Sequence, residues 1–336
     1  MWPESQPAAQ KSIFFPTSLQ FCVNFSIFDK ALSKFFTRLL KFCFFAHLFI
    51  LRSRIIMTTV LQQVVRRSIL RPFAKSFSSG SSLVDVQVND KTGIAIVKMG
   101  RAPVNGLNTE LLGALNDTFD SLEKNKATGM ILSSSIPNIY SAGLDISEMY
   151  NGTPENLNKF WNTLQSMWIN LYSTPLPTVA LINGNAPAGG CLLAMSCEYR
   201  VMVGSKFVIG LNETQLGLFA PKWFQDTMVS IIGPRQTELA LTSGKLFSAE
   251  EALKIGLIDE LVASEEEALA SSDKFFGLFK RIPGYARGQT KNFVRAEVLD
   301  WLLKNREHDT KVFLNNIQLP HVQKGLGLYL QSLKKK

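Results

Sequence analysis

From residue 84 onward, short apolar runs alternate with longer segments of helical periodicity, and this alternation restricts the chain to the α/β class. Val84 to Val88 alternates apolar and polar residues, and Gly93 to Met99 gives a second short strand beyond Asn89-Asp90-Lys91. The two read as a hairpin. Asn108 can cap a helix running to about Lys124, with Leu111, Leu112, Leu115, Phe119 and Leu122 on one face. Gly129 to Ser133 and Thr178 to Ile182 are apolar enough to be strands buried on both faces. Between them, Phe160, Leu164, Met167, Trp168 and Leu171 recur at helical spacing from Pro154 to Tyr172. Gly189 and Gly190 open a short apolar helix through Ala194, and Glu198 to Val203 and Phe207 to Ile209 are further strands. Helical patterns dominate from Pro221 to the end. Strand–strand–helix units followed by a helical tail predict ligand loops at strand ends.

Charge divides the chain differently. Of 36 Lys and Arg residues, eleven lie in residues 1–84, against two acids, Glu4 and Asp29. That quarter therefore holds the whole net charge of +9, and the 25 basic and 25 acidic residues that follow cancel. A neutral core disfavours binding to a phosphate backbone, which needs clustered Lys and Arg, so nucleic acid is not an expected partner. Cys22, Cys43, Cys191 and Cys197 are too few and too scattered for a disulfide framework, and no pair has CxxC spacing. The three histidines, His47, His308 and His321, lie beside no serine or cysteine motif, and no metal site is expected.

The basic quarter itself has two parts. Residues 57–83 open on Met57, contain no acid, and place Arg66, Arg67, Arg71 and Lys75 opposite Val60, Leu61, Val64, Val65, Ile69 and Leu70 on a helix. An Arg-rich, Ser-rich, acid-poor amphipathic segment is the signature of an organelle transit peptide, and mitochondria are the favoured destination. Residues 1–56 carry most of the 13 phenylalanines that precede residue 85. They read as an extension upstream of the working start. The longest uncharged apolar run there, between Lys41 and Arg52, is about half of what a membrane-spanning helix needs.

Three segments carry the chemistry. They are Ser141-Ala142-Gly143-Leu144-Asp145, Asn183-Gly184-Asn185-Ala186-Pro187-Ala188-Gly189-Gly190-Cys191, and Gly210-Leu211-Asn212-Glu213-Thr214-Gln215-Leu216-Gly217. Taken singly, a glycine after a strand only makes a turn and a lone glutamate is a solvated surface residue. Taken together, the core resembles the enoyl-CoA hydratase/isomerase (crotonase) superfamily along nearly its whole length, and within it the mitochondrial isomerase branch.

That resemblance implies a crotonase (ClpP/crotonase-like) fold of repeated ββα units, with a catalytic core over 84–264 and a C-terminal helical oligomerisation region over 265–336, commonly building a homotrimer. It also implies that the backbone N–H groups of Leu144 and Gly189 grip the oxygen of an acyl-CoA thioester. Such preorganised donors stabilise the enolate formed when a proton leaves the carbon beside the thioester. Ala142, Gly143, Leu144, Asp145, Ile146, Gly190 and Asn212 would contact the substrate. Hydratases of the family use two glutamates. Here the second position is Glu213 and the first is Leu192, which cannot handle water. One carboxylate suits a proton shuttle, in which Glu213 takes a proton from C2 of a 3-enoyl-CoA and returns it at C4. An apolar pocket would raise its pKa towards neutrality.

Further expectations follow from the same resemblance. Phe219, Ala220, Pro221, Trp223 and Phe224 would wall the acyl pocket or simply pack the core. Arg101, Ala102, Pro103, Val104 and Asn105 would lie near the CoA nucleotide. Asp145 would be structural, and Cys191 a small buried residue. No cofactor is expected, CoA being part of the substrate, and neither is an integral membrane span. The terminal Leu333-Lys334-Lys335-Lys336 does not match the peroxisomal Ser-Lys-Leu address, so the expected location is the mitochondrial matrix. Hydration, thioester hydrolysis and a catalytically silent binding scaffold stay open as alternatives.

Overall fold

The computed structural model describes residues 83–334. The expected extension, and the expected transit peptide as far as residue 82, lie outside the described residues.

The chain opens with the expected hairpin, β1 (Val84–Val88) antiparallel to β2 (Ile94–Met99). Its turn is organised by Asn89, whose Oδ1 accepts from Lys91 N–H at 3.0 Å and Thr92 N–H at 3.2 Å. Helix α1 (Thr109–Lys124) begins where Asn108 Oδ1 accepts from Leu111 N–H at 2.9 Å. Then come β3 (Gly129–Ser134), β4 (Asn138–Ile139), the single turn α2 (Ile146–Met149) and α3 (Pro154–Ser173). Next are β5 (Thr178–Ile182), β6 (Gly184–Pro187), α4 (Gly189–Ser196), β7 (Tyr199–Val203) and β8 (Val208–Gly210). A 3₁₀ turn over Glu213–Leu216 leads to α5 (Lys222–Ile232), α6 (Pro234–Ser243), β9 (Phe247–Ser248), α7 (Ala249–Lys254) and β10 (Glu260–Val262). Three helices close the chain: α8 (Glu265–Gly277), α9 (Gly284–Ile317) and α10 (Pro320–Lys334).

The strands form two sheets. One has the order β1-β2-β3-β5-β7-β10, parallel throughout except for the β1–β2 hairpin. The other has the order β4-β6-β8-β9. Three times the chain leaves a strand of the large sheet, enters the small sheet a few residues later, and then turns helical: β3 to β4, β5 to β6, and β7 to β8. This is the repeated ββα unit. It brings three strand ends, and the loops that follow them, to one region.

Side chains of the large sheet alternate between two apolar layers, as the two-residue period of a strand demands. Ala180 and Ile182 of β5 face the main core with α1, α3 and α4, while Val179 and Leu181 face a smaller cluster closed by Ala268 and Phe276 of α8. Burying both faces is why β3 and β5 read as unbroken apolar runs.

The small sheet is where sequence and structure part. Its β9, and β10 of the large sheet, are short strands within the stretch from Pro221 that reads as helical. Strands β4 and β6 were not expected, because Asn138-Ile139 and Gly184-Asn185-Ala186-Pro187 have poor β propensity. Close approach of the chains forms them instead. A Cβ on Gly184 would overlap the backbone of Asn138 and Ile139. Asn185 completes the junction, its Oδ1 accepting from Val208 N–H at 3.0 Å and its backbone oxygen from Tyr140 N–H at 3.0 Å.

Helix α9 lies against α3 and bends at Asn305 (φ −119°, ψ 17°). The Asn305 side chain donates to Trp301 O at 2.7 Å, taking a carbonyl that the helix ladder would otherwise use. Beyond the bend, α9 runs along the cavity described next.

Candidate active site

A cavity of about 950 Å³ opens among the three loops, and its walls include α9 and α10. Of the expected substrate contacts, Ala142, Gly143, Leu144, Asp145, Ile146 and Asn212 line it, as does Glu213. Gly189 and Gly190 do not. They lie in the first turn of α4, directly after the lining residues Pro187 and Ala188. Gly190 is a packing glycine, since an added Cβ would come within 2.5 Å of Ser141 O.

The loop from Ser141 to Asp145 is held from several sides. Ser141 Oγ donates to Asn105 O at 2.7 Å and accepts from Gly143 N–H at 3.2 Å. Ala142 N–H donates to Val104 O at 3.0 Å. Gly143 has φ +91°, a conformation that a side chain strains, and a Cβ there would sit 3.1 Å from Gly189 N. A Cβ on Gly189 would sit 3.2 Å from Leu144 N. The two expected oxyanion donors are therefore close neighbours. Neither N–H donates to any described residue. Gly189 N–H is also one of the free donors at a helix N-terminus, where the helix dipole favours negative charge.

The turn that aims Gly189 is itself strained. Ala188 has φ +50° and ψ −121°, which costs an L-residue on the order of 1–3 kcal/mol. It is held by its N–H donating to Gly210 O at 2.8 Å. That bond ties the glycine loop to the strand that leads into Glu213.

Glu213 starts a 3₁₀ turn fastened at two points: Thr214 Oγ1 donates to Leu241 O at 2.9 Å and Gln215 Nε2 to Gly244 O at 2.8 Å. Helix α10 packs closely behind it, where a Cβ on Gly325 would lie 3.2 Å from Leu216 O. Both carboxylate oxygens of Glu213 are closed off from bulk water and have no hydrogen-bond partner. Burial pushes its pKa up from 4.5 to about 7, partly opposed by its own backbone N–H. Asn212 makes no bond to the Glu213 carboxylate; its Nδ2 reaches only Gln215 Oε1, at 3.5 Å.

Two other carboxylates line the cavity, and both are engaged. Asp145 pairs with Arg101 at 2.8 Å and caps α2, accepting from Ser147 N–H at 3.0 Å. Asp309 accepts from Trp161, Gln165 and Trp223. Glu148 lies outside the cavity and holds the start of α1 by accepting from Thr109 N–H at 3.2 Å. Leu192, at the position of the missing second glutamate, is wholly buried. Cys191 is buried as well, and burial drives its thiol far above the ordinary range, so it is no nucleophile. Among the described residues, no group of three His, Cys, Asp or Glu side chains could hold a metal ion, and no helix is long and apolar enough to cross a membrane.

The expected acyl wall divides. Phe219, Ala220, Pro221 and Phe224 line the cavity, while Trp223 lies behind it, buried, with its indole N–H on Asp309. Arg101, Pro103 and Val104 line it too, whereas Asn105 is buried and braces their loop by donating to Ser134 Oγ at 2.7 Å. The wall from α9 and α10, including Trp301, His308, Asp309, Phe313 and Tyr329, was not foreseen. Its residues lie far along the chain from the glycine loops and meet the cavity only through the packing of α9 and α10.

The family model for enoyl-CoA hydratase/isomerase matches residues 89–336. The chain belongs to the enoyl-CoA hydratase/isomerase family. It is similar to the mitochondrial enoyl-CoA delta isomerase 1 of Mus musculus, 41% identical over 265 residues that cover 78% of this chain and 91% of the relative. The Homo sapiens protein of the same name is 39% identical over 257 residues, covering 76% and 85%. The crystal structure of human mitochondrial delta3-delta2-enoyl-CoA isomerase superposes with a TM-score of 0.73 at 38% identity, covering 76% of this chain and 99% of that one. An enoyl-CoA hydratase from Bacillus halodurans shares the fold, with a TM-score of 0.67 at 22% identity, covering 74% and 100%. The resemblance read from the sequence, the α/β class and the crotonase-type fold all hold.

Proposed function

We propose that this family member is an isomerase that moves the double bond of cis- or trans-3-enoyl-CoA to give trans-2-enoyl-CoA, a step in the oxidation of unsaturated fatty acids. The observation that carries the reading is Glu213. Of the three carboxylates lining the cavity, it alone has no partner, and burial brings it to about 7. A base of that strength is matched to a weakly acidic carbon at neutral pH. The similarity to mitochondrial delta isomerases supports the same activity.

The Glu213 carboxylate takes a proton from C2. The electron pair of that C–H bond delocalises through the C3–C4 double bond and onto the thioester oxygen. The N–H groups of Leu144 and Gly189 stabilise the charge there, each contributing on the order of 3 kcal/mol. The protonated Glu213 then returns its proton to C4, leaving the double bond between C2 and C3. The bond moves within an activated thioester and no net oxidation occurs, so the proposed reaction calls for neither metal nor redox cofactor. CoA serves as the handle of the substrate.

The basic segment 57–83 supports import into the mitochondrial matrix, with residues 1–56 as a dispensable extension. The helical region 265–336 supports assembly into a homotrimer around the core 84–264. The deciding experiment is a spectrophotometric assay with 3-hexenoyl-CoA, comparing the wild type with Glu213→Gln. The wild type converts it and the variant does not, while still binding the thioester. Full activity in Glu213→Gln would overturn the assignment.

A further inference from the structure

The cavity has a second polar feature, one that the double-bond shift does not use. Asp309, beyond the bend of α9, is only 4% exposed and lines the cavity. Three donors converge on one of its oxygens, Oδ2: Trp161 Nε1 at 2.8 Å, Gln165 Nε2 at 2.9 Å and Trp223 Nε1 at 3.2 Å. Gln165 is in turn held by Arg306, whose Nε donates to Gln165 Oε1 at 3.2 Å. Converging donors of this kind offset the cost of burying a carboxylate.

The other oxygen, Oδ1, has no hydrogen-bond or ion-pair partner among the described residues, and it is not sealed from accessible space as both Glu213 oxygens are. An acceptor left unmatched inside a protein is costly, so a donor is expected to meet it. Of the lining residues on the same helix, Val312 and Phe313 are apolar, and neither His308 nor Asn316 bonds to Oδ1. That oxygen is left for an occupant of the cavity to engage.

We propose that Asp309 is a specificity-determining residue of this cavity, whose free carboxylate oxygen accepts a hydrogen bond from a hydroxyl on the acyl chain and turns away chains that end in a carboxylate. The inference rests on the acyl-thioester reading of the cavity. A hydroxyl there meets a carboxylate oxygen that no described residue engages. A second carboxylate meets like charge at a side chain that is itself only 4% exposed.

The test uses saturated acyl-CoA thioesters of stepped chain length, each made with a methyl, a hydroxymethyl or a carboxyl end. Their binding to the full chain is measured by calorimetry, independently of turnover. At the length that brings the end to Asp309, the hydroxyl end binds at least as tightly as the methyl end, and the carboxyl end about 100-fold more weakly. In Asp309→Asn, which keeps the shape and an acceptor for the indoles, the carboxyl penalty shrinks to about 10-fold or less. A carboxyl end that binds as well as a methyl end at every length overturns the proposal, and this needs only the wild type. So does a penalty that Asp309→Asn leaves unchanged. Turnover of the methyl-ended 3-enoyl thioesters, assayed alongside, reports separately on the isomerase reading.

Discussion

Leu107 and Leu144 form an isolated parallel bridge in which Leu107 N–H donates to Gly143 O at 2.8 Å and Leu107 O accepts from Asp145 N–H at 3.1 Å. In an extended segment, successive N–H groups point to opposite sides. With Asp145 N–H turned to Leu107, Leu144 N–H faces away from it, free for a ligand. The bridge is therefore what exposes one of the two proposed oxyanion donors.

Gly189→Ala should disable that pair. The new Cβ would lie 3.2 Å from Leu144 N and 3.0 Å from Leu107 Cδ1. The leucine tip can give way, but the backbone nitrogen cannot. We expect kcat to fall about 100- to 1,000-fold, as for loss of one oxyanion donor. The thermal midpoint should move by only a few degrees. A kcat within a factor of about 3 of wild type, in a folded variant, would show that Gly189 and Leu144 do not form the hole.

The pH dependence follows from the ionisation of Glu213 near 7. The base works only when ionised, so kcat/KM should rise with pH through about 7 and level off above it. Initial rates from acidic to mildly alkaline pH trace the limb. A profile already flat well below that midpoint would mean that another group, or none, limits the proton transfer.

The same raised pKa makes Glu213 a burden on folding. Its folded value, about 7, lies above its ordinary 4.5, so between these values the native state binds more protons than the unfolded one. Stability therefore falls as pH rises through that window, by at most on the order of 3 kcal/mol. Glu213→Gln removes the charge and should raise the thermal midpoint by several degrees at pH 8. The gain should vanish near pH 4.5, where the wild type is protonated when folded. Equal midpoints at pH 8 would argue that the carboxylate is better solvated than its surroundings indicate.

Much of this was legible in the residues themselves. The buried runs Gly129–Ser134, Thr178–Ile182 and Val208–Gly210 announce strands, and Gly143, Gly189 and Glu213 follow soon after them in the chain. Asn108 announces the start of α1 in the same way. What stayed hidden depended on distant parts of the chain meeting. Strand β6 has no strand-like residues and exists because Gly184 admits the backbone of Asn138 and Ile139. In the sequence Asp309 is one of several acids on a long helix, with Glu297, Asp300 and Glu307. Its partners Trp161 and Trp223 lie in α3 and α5, and no local pattern in α9 reveals that they converge on it.

The start of α9 is held by a buried charge cluster whose parts should prove unequal. Arg287 Nη2 meets Glu198 Oε1 at 2.5 Å and Lys291 Nζ meets Glu198 Oε2 at 3.0 Å. Burial alone would push the Glu198 carboxyl up, but Lys291 and Arg287 together bring it below its ordinary value. Burial pushes Lys291 down to about 8, against the pull of Glu198. Glu198 thus adds stability that is present at neutral pH and is lost as acid titrates it. Glu198→Gln would leave two buried cations without their counter-charge and should cost about 3–5 kcal/mol in urea unfolding at pH 7. Lys291→Met leaves the Arg287 pair intact and removes a charge that burial disfavours, losing the bond from Lys291 to Leu176 O at 3.0 Å, so it should cost less, about 1–2 kcal/mol. Equal losses from the two variants would mean that packing of the side chains, and not the balance of charge, holds α9 in place.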